Sequence, residues 1–386
     1  MKICIDARPL QNAHRVRGVG VLLRNLLKEM GRLAADDETT LITLRGKKLQ
    51  QLFRNERRIE TFRLDRPNRF NWIADHVQLP GIARRSGAKI FFATDFNSYL
   101  SPPRGVGVVS MAYDLIPFVF PQAMAAQPLP VRIGWRINFA KLRESRRIIA
   151  ISEATRKDLV ELFGLEPGKI DVIYPGIDHA LFNISQAGNE AVRRQILERH
   201  GIAGDYFLYV GDSEWRKNLR RILEALGALD NDVKLVIVGK KAPEDPLLGR
   251  WIDELGLRGK VVMCGFVPES DLPPLYGGAT AFLFPSLYEG FGFPVAEAMA
   301  CGCPVITSSV SSLPEVAGDA ALIVDPENTE EIREGMERLL TDTGLRKRLS
   351  EAGPSQAARF DWERCARETL AVLHSAANAG RNGSDA

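Results

Sequence analysis

Short apolar, β-branched runs alternate along this chain with longer stretches in which apolar residues recur every three or four positions. In the first half KICIDA (2–7), TTLITL (39–44), KIFFAT (89–94), GVVSMAYD (107–114), RIIAIS (147–152) and DVIYP (171–175) read as strands. In the second half YFLYVG (206–211), VKLVIVG (233–239), KVVMCG (260–265), TAFLFP (280–285), PVITS (304–308) and AALIV (320–324) repeat the pattern. Near-continuous apolar strands separated by helical periodicity predict parallel sheets covered by helices on both faces, hence an α/β chain of two doubly wound domains. Proline and glycine at 174–176 interrupt both periodicities, which places a domain boundary between 1–175 and 176–358. A helix is predicted around 329–352 and another over 359–374, and the small, polar residues 375–386 are expected to be disordered.

Open parallel sheets bind ligands at the carboxyl ends of their strands, so chemistry is sought just after each run. Behind KICIDA, Gly18 and Gly20 immediately precede a predicted helix, which matches half of a dinucleotide fingerprint and is a weak signal by itself. Behind YFLYVG, Arg216, Lys217 and Asn218 occupy a loop-to-helix junction. Cations and free N–H groups there can hold a diphosphate, or the segment is a solvated basic turn. Behind TAFLFP the chain reads LYEGFGFPVAEAMACGCPVI, with Glu289 in a glycine-rich turn, Pro294 starting a helix, and Glu297 in its first turn. Loop and helix start share one mouth, so both carboxylates can face one polar ligand across the bare backbone of Gly290 and Gly292. The plainer alternative has Glu297 complementing the helix dipole and Glu289 in solvent.

Composition narrows the class. With 386 residues, 45% hydrophobic and 26% charged, the chain is of ordinary globular type. It holds no run of eighteen apolar residues, and MKICIDARPL lacks the apolar segment of a signal peptide, so a cytoplasmic protein is expected. The five cysteines are scattered, Cys301-Gly-Cys303 is not a zinc spacing, and the five histidines stand singly, which leaves a metal centre without support. Charge is uneven: residues 1–175 hold 29 Lys plus Arg against 17 Asp plus Glu, while the whole chain is only +3. The segment 131–147 mixes Trp135, Ile137, Phe139 and Leu142 with six basic residues. It reads either as a surface for anionic lipid or an anionic ligand, or as a solvated helix face. Without a recognisable nucleic-acid module, no nucleic-acid partner is expected.

RGVG (17–20), YDLIP (113–117), VGDSEWRKN (210–218), GFVPESDLPPLY (265–276), SLYEGFGFPVAEAMACGCPVI (286–306) and SSLPEVAGDAA (311–321) together resemble glycosyltransferase family 4, in its mannosyltransferase B-like branch. The resemblance covers nearly the whole chain. It implies a GT-B fold, two Rossmann-like domains facing a central cleft, with the first binding acceptor, the second binding donor, and the last helix crossing back to the first. It implies that Glu289 contacts the donor sugar, Glu297 the ribose, and Lys217 the departing diphosphate. Many relatives carry an arginine where this chain has Asp212, and Arg216 is expected to substitute. Gly18 and Gly20 correspond to the loop approaching the phosphates, Phe266 and Val267 to the base pocket, and Gly290, Phe291, Gly292 and Phe293 to the donor loop.

Tyr113-Asp114 stands where the family often has His-Asp. A phenol donates a hydrogen bond but titrates too high for acid–base work, so these two are assigned to sugar or acceptor contact. No nucleophile is evident, consistent with the retaining, front-face substitution described for the family. The resemblance further implies no cofactor and no metal, a nucleotide sugar donor with GDP-sugars favoured, and a saccharide acceptor, lipid-linked, which brings the basic first domain to the cytoplasmic face of a membrane. Asp230-Asn231-Asp232 has a metal-binding pattern but lies at the amino end of a predicted strand, where such residues form turns. A nucleotide-sugar epimerase or a non-catalytic sugar-nucleotide-binding subunit is the alternative; a nicotinamide-dependent dehydrogenase lacks its full fingerprint.

Overall fold

The computed structural model describes residues 1–12, 18–61, 78–95, 102–239 and 244–379. The chain divides into two compact units, Met1–Gly176 joined by the residues from Trp362 onward, and Ile177–Asp361.

The first unit is built on seven strands: β1 (Lys2–Asp6), β2 (Glu38–Leu44), β3 (Glu56–Thr61), β4 (Ile90–Ala93), β5 (Gly107–Ala112), β6 (Arg147–Ala150) and β7 (Ile170–Val172). Their order is β3-β2-β1-β4-β5-β6-β7, every neighbouring pair parallel. The twelve strands read from the apolar pattern are all present, and β3 is the addition. Its sequence ERRIET carries no apolar run because it is an edge strand, whose charged residues suit a rim open to water.

In the helix Gly18–Leu33, Leu22, Leu23, Leu26, Leu27 and Met30 form a stripe at helical spacing, and all are buried. Gly18 and Gly20 thus lie within the first helical turn, whereas the sequence placed them ahead of it; Arg17, which precedes them, is outside the described residues. The helix Trp362–Ala379 starts later and runs further than expected, and packs in this unit through Arg146 Nη1 donating to Ala376 O at 2.8 Å and His374 Nε2 meeting Asp37 Oδ2 at 3.0 Å. Residues 375–379 are therefore helical, and the rest of the expected tail, 380–386, lies outside the described residues.

The second unit holds β8 (Tyr206–Val210), β9 (Lys234–Val238), β10 (Val261–Gly265), β11 (Ala281–Phe284), β12 (Val305–Ser308) and β13 (Leu322–Val324). The order is β10-β9-β8-β11-β12-β13, again parallel throughout. Both sheets reverse winding once, between β1 and β4 in the first and between β8 and β11 in the second, and such switch points open a crevice at the strands' carboxyl ends. The helix expected over 329–352 is two, Thr329–Thr341 and Thr343–Ala357. Asp342 breaks the run by accepting from Leu345 N at 2.8 Å and capping the second. Asn231 Oδ1 accepts from Val233 N at 3.1 Å just before β9, the local turn that the sequence suggested for the Asp-Asn-Asp stretch.

Candidate active site

The switch point of the second sheet places the loop after β8 beside the loop after β11, and this decides where the charges meet. After β8 a single 3-10 turn, Trp215–Lys217, carries Arg216 and Lys217. Glu289 follows β11, 92% buried, with Lys217 Nζ donating to Oε1 at 2.6 Å and Arg216 Nη1 to Oε2 at 2.7 Å. Burial pushes the Glu289 carboxyl up, but Lys217 and Arg216 outweigh it and hold its pKa below the usual value. Arg216 also donates to Glu214 Oε2 at 3.0 Å and Tyr288 O at 3.2 Å, and Leu287 N donates back to Arg216 O at 2.7 Å, so turn and loop are tied along both backbones. The Lys217 ammonium lies 4.6 Å from the Phe284 ring centroid, a cation–π contact that adds to its fixed position.

Asn218 does not point at a ligand, as its place in the basic turn had suggested. It is buried in a left-handed conformation (φ 62°) and its amide donates to Pro285 O at 2.9 Å and Pro326 O at 2.6 Å, while its oxygen accepts from Arg221 at 2.9 Å. Asn218 therefore pins the cationic turn to the end of β11. Two serines that were not singled out do the same for the carboxylate loop. Ser311 Oγ accepts from Glu289 N at 3.0 Å, and Ser312 Oγ donates to Glu289 O at 2.9 Å and Phe291 O at 2.7 Å. They open the motif SSLPEVAGDAA, a serine pair just ahead of a proline-initiated helix, Leu313–Ala317, and nothing in that motif points to the Glu289 loop.

The helix after Glu289 is Phe293–Ala300, beginning one residue before Pro294, so Glu297 lies just beyond its first turn. Gly292 caps it at φ 114°, and a Cβ there would come within 2.7 Å of Leu313, so only glycine fits. Glu297 is partly exposed and accepts from the Tyr276 hydroxyl at 3.5 Å. Burial, then the charge of Glu269, pushes its carboxyl up to about 8 against the Tyr276 bond. The folded protein thus holds a proton here that the unfolded chain releases near 4.5, and stability is expected to fall as pH rises from about 4.5 to 8. Melting temperatures from pH 5 to 9 should show this decline in wild type and a flatter profile in Glu297→Gln; identical slopes would remove the assignment.

The remaining predicted residues are dispersed. Phe266, next to buried Val267, is 72% exposed after β10, a large ring offered to solvent at the carboxyl end of the sheet. Phe291 is buried edge-on against Phe293 and Phe360, each at 5.1 Å, so it supports the loop's shape, and Gly290 is partly exposed beside it. In the first unit Tyr113 is buried with its hydroxyl donated to Thr94 O at 2.7 Å. Burial, with Asp95 and Asp6 adding, raises that phenol well above its usual pKa. Its hydrogen is committed within the protein, so contact with a sugar would have to use Oη as acceptor. Asp114 is partly exposed and accepts from Ile116 N at 3.3 Å. Gly18 is exposed at its helix's start, where backbone N–H groups lack intrahelical partners. Among the described residues no group of three or more His, Cys, Asp or Glu is arranged to hold a metal.

Chemically, a pair of oriented cations beside a buried carboxylate at a sheet's switch point suits an anionic ligand with a polar neighbour. Residues 16–181 match the family described as Glycosyltransferase Family 4, and residues 193–356 match Glycosyl transferases group 1. The O-antigen chain mannosyltransferase B of Escherichia coli is 31% identical over 331 residues, covering 84% of this chain and 82% of that protein. The N-acetylgalactosamine-N,N'-diacetylbacillosaminyl-diphospho-undecaprenol 4-alpha-N-acetylgalactosaminyltransferase of Campylobacter jejuni is 32% identical over 229 residues, 58% of this chain and 59% of that one. Sucrose-phosphate synthase from Thermosynechococcus elongatus superimposes with a TM-score of 0.80 at 18% identity, covering 98% of this chain and all of the other, which shows the fold. With both parallel sheets and the cation–carboxylate cluster in place, this chain belongs to glycosyltransferase family 4 and is a glycosyltransferase of the GT-B fold.

Proposed function

We propose that the protein is a retaining, metal-independent hexosyltransferase that moves mannose, or the related rhamnose, from a GDP-sugar to a lipid-linked saccharide during polysaccharide assembly. The observation that carries the reading is the Glu289 carboxylate held between Lys217 and Arg216. Among the described residues Lys217 Nζ donates to Glu289 alone, which leaves donors for a diphosphate. The two cations supply the charge that a divalent ion would otherwise bring to the leaving group, as preorganised groups that need no rearrangement during reaction. Glu289 then faces the sugar, Glu297 the ribose, and Phe266 and Val267 the base, while the amides at Gly18 and Gly20, at a helix start in the first unit, suit an anionic group. Tyr113 and Asp114 serve the sugar or the acceptor. Mannose is favoured by the mannosyltransferase relative, and a lipid diphosphate acceptor by the undecaprenol named for the other.

The test is transfer of labelled mannose from GDP-mannose to a lipid-linked acceptor in the presence of EDTA. Product of retained configuration is expected. Loss of transfer under EDTA with recovery on added magnesium or manganese would overturn metal independence, and an epimerised donor formed without acceptor would overturn transfer itself.

A cytoplasmic location at the membrane face belongs to the same reading, and no helix among the described residues is long and apolar enough to cross a bilayer. The helix Leu129–Lys141 supports it differently from the sequence pattern. Phe139, one of the apolar residues of that segment, is buried against Phe118 and Phe163, and Trp135 is partly buried. Leu129, Ile133 and Ile137 are instead exposed at 63%, 50% and 36%, one turn apart. Of the six cations, Lys141 pairs with Glu144, Arg147 with Asp171, and Arg143 and Arg146 donate to backbone carbonyls. Arg132 and Arg136 flank the apolar stripe, and each basic residue near an anionic surface contributes about 1 kcal/mol. Ile133→Glu with Arg136→Glu is expected to release the protein from anionic vesicles in a sedimentation assay without changing nucleotide affinity. A wild type that fails to pellet at low salt, or pellets equally with neutral vesicles, would remove membrane contact.

A further inference from the structure

The turn that carries Arg216 and Lys217 also borders a cavity of about 430 Å³ whose lining includes neither of them, nor Glu289. Two indoles line it. Trp215, the first residue of the turn, is 46% exposed, and Trp251 comes from the helix Pro246–Glu254 that follows β9. The two are fixed relative to each other, because Ser213 Oγ, in the loop after β8, donates to Asp245, the capping residue of the Trp251 helix.

Charge in the lining is balanced: Glu214 and Glu224 stand against Arg220 and Arg221. Each is held in place. Arg220 Nε donates to Glu224 Oε1 at 3.0 Å, Arg221 Nη1 to Asn218 at 2.9 Å, and Arg216 Nε to Glu214 at 3.0 Å, while the Arg220 guanidinium lies 5.9 Å from the Trp251 ring centroid. A phosphate or nucleotide entering here would meet as many carboxylates as guanidinium groups, with no net positive charge to hold it. A neutral ligand with many hydroxyls would find fixed donors and acceptors of both kinds, and an apolar C–H face would lie against an indole.

We propose that this cavity is a saccharide-binding site, separate from the donor site, that holds a distal sugar of the growing acceptor chain. The proposal rests on the reading of the protein as a polysaccharide glycosyltransferase. It makes the enzyme favour long acceptors over short ones, and it sets the occupied cavity against the turn that presents Lys217.

Two measurements test it. Titrating the wild-type protein with α-linked mannotetraose, without donor, is expected to change tryptophan fluorescence, and Trp251→Ala to abolish most of that change. Trp251→Ala and Arg220→Ala are each expected to raise KM for a mannan acceptor of about ten sugars by about tenfold, leaving KM for a disaccharide acceptor unchanged. Arg220→Ala removes an exposed side chain and keeps both rings, so it decides the matter should Trp251→Ala fold poorly. No fluorescence response in wild type, or a KM that rises equally for both acceptor lengths, overturns the site. Failure of the wild type to glycosylate any acceptor would instead overturn the function proposed above, with the fluorescence titration still standing as its own measurement.

Discussion

Lys217→Ala is expected to lower the rate of sugar transfer at least about a hundredfold, the ~2.7 kcal/mol lost with one preorganised contact to developing charge. The side chain is placed for this. Its side chain is only 13% exposed, with the ammonium bonded to Glu289 at 2.6 Å and set over Phe284, so little reorganisation is needed when a diphosphate begins to leave. Folding should survive, since Arg216 still faces Glu289 at 2.7 Å after the lysine is gone. Lys217→Arg keeps the charge but not the compact donor geometry, and is expected to recover only part of the rate. Single-turnover rates with saturating donor give the comparison, with the melting temperature measured alongside. A rate for Lys217→Ala within about threefold of wild type would show that the lysine is a structural partner of Glu289 and nothing more.

Glu289→Gln is expected to separate turnover from nucleotide binding. The amide keeps the shape and one acceptor oxygen, but leaves Arg216 and Lys217 side by side without their counter-charge. Removing one partner of a buried ionic cluster costs about 3 to 5 kcal/mol, so the free variant should melt lower than wild type. A nucleoside diphosphate replaces the missing negative charge, and GDP should therefore raise the melting temperature of the variant by more than it raises that of wild type. Turnover should fall steeply all the same if the Glu289 carboxylate contacts the sugar as proposed. Glu297→Gln should do the reverse and weaken nucleotide binding itself.

The pH response has a definite sign. The folded-state pKa of Glu289 is depressed, so its contribution is present above about 4.5 and is lost as pH falls through the lower folded value. Wild type should shed that stability in acid, and Glu289→Gln should not. Equal GDP-induced shifts in variant and wild type would contradict the assignment of the two cations to the diphosphate.

How much of this was legible in the chain depends on how local each cause is. A parallel strand buried on both faces must be apolar along its whole length, so twelve of the thirteen strands announced themselves, and the edge strand β3 did not, because an open rim selects charge over apolarity. The turn and helix joining Glu289 to Glu297 were equally local, since glycine, proline and helix-start geometry act within a few residues. The helix break at Asp342 was missed for the complementary reason: the apolar period continues across it, and only the cap geometry interrupts it.

Partners far apart in sequence were a different matter. Nothing in the spacing of residues 217 and 289 says that they touch; strand order does, by making β8 and β11 neighbours and opening their loops onto one crevice. The same holds for Asn218 and Ser312, whose side chains bond carbonyls 67 and 23 residues away and so act on backbone positions that a linear pattern does not reveal. On the helix Leu129–Lys141 the pattern shows apolar and basic residues mixed, and the sheet beneath chooses which face is buried, taking Phe139 inward and leaving Ile133 and Ile137 in solvent. Sequence alone therefore determined the twelve apolar strands and the family, because those follow from short-range periodicity and motif. Tertiary structure decided which charges meet and which faces remain exposed, because both depend on how distant strands are ordered in a sheet.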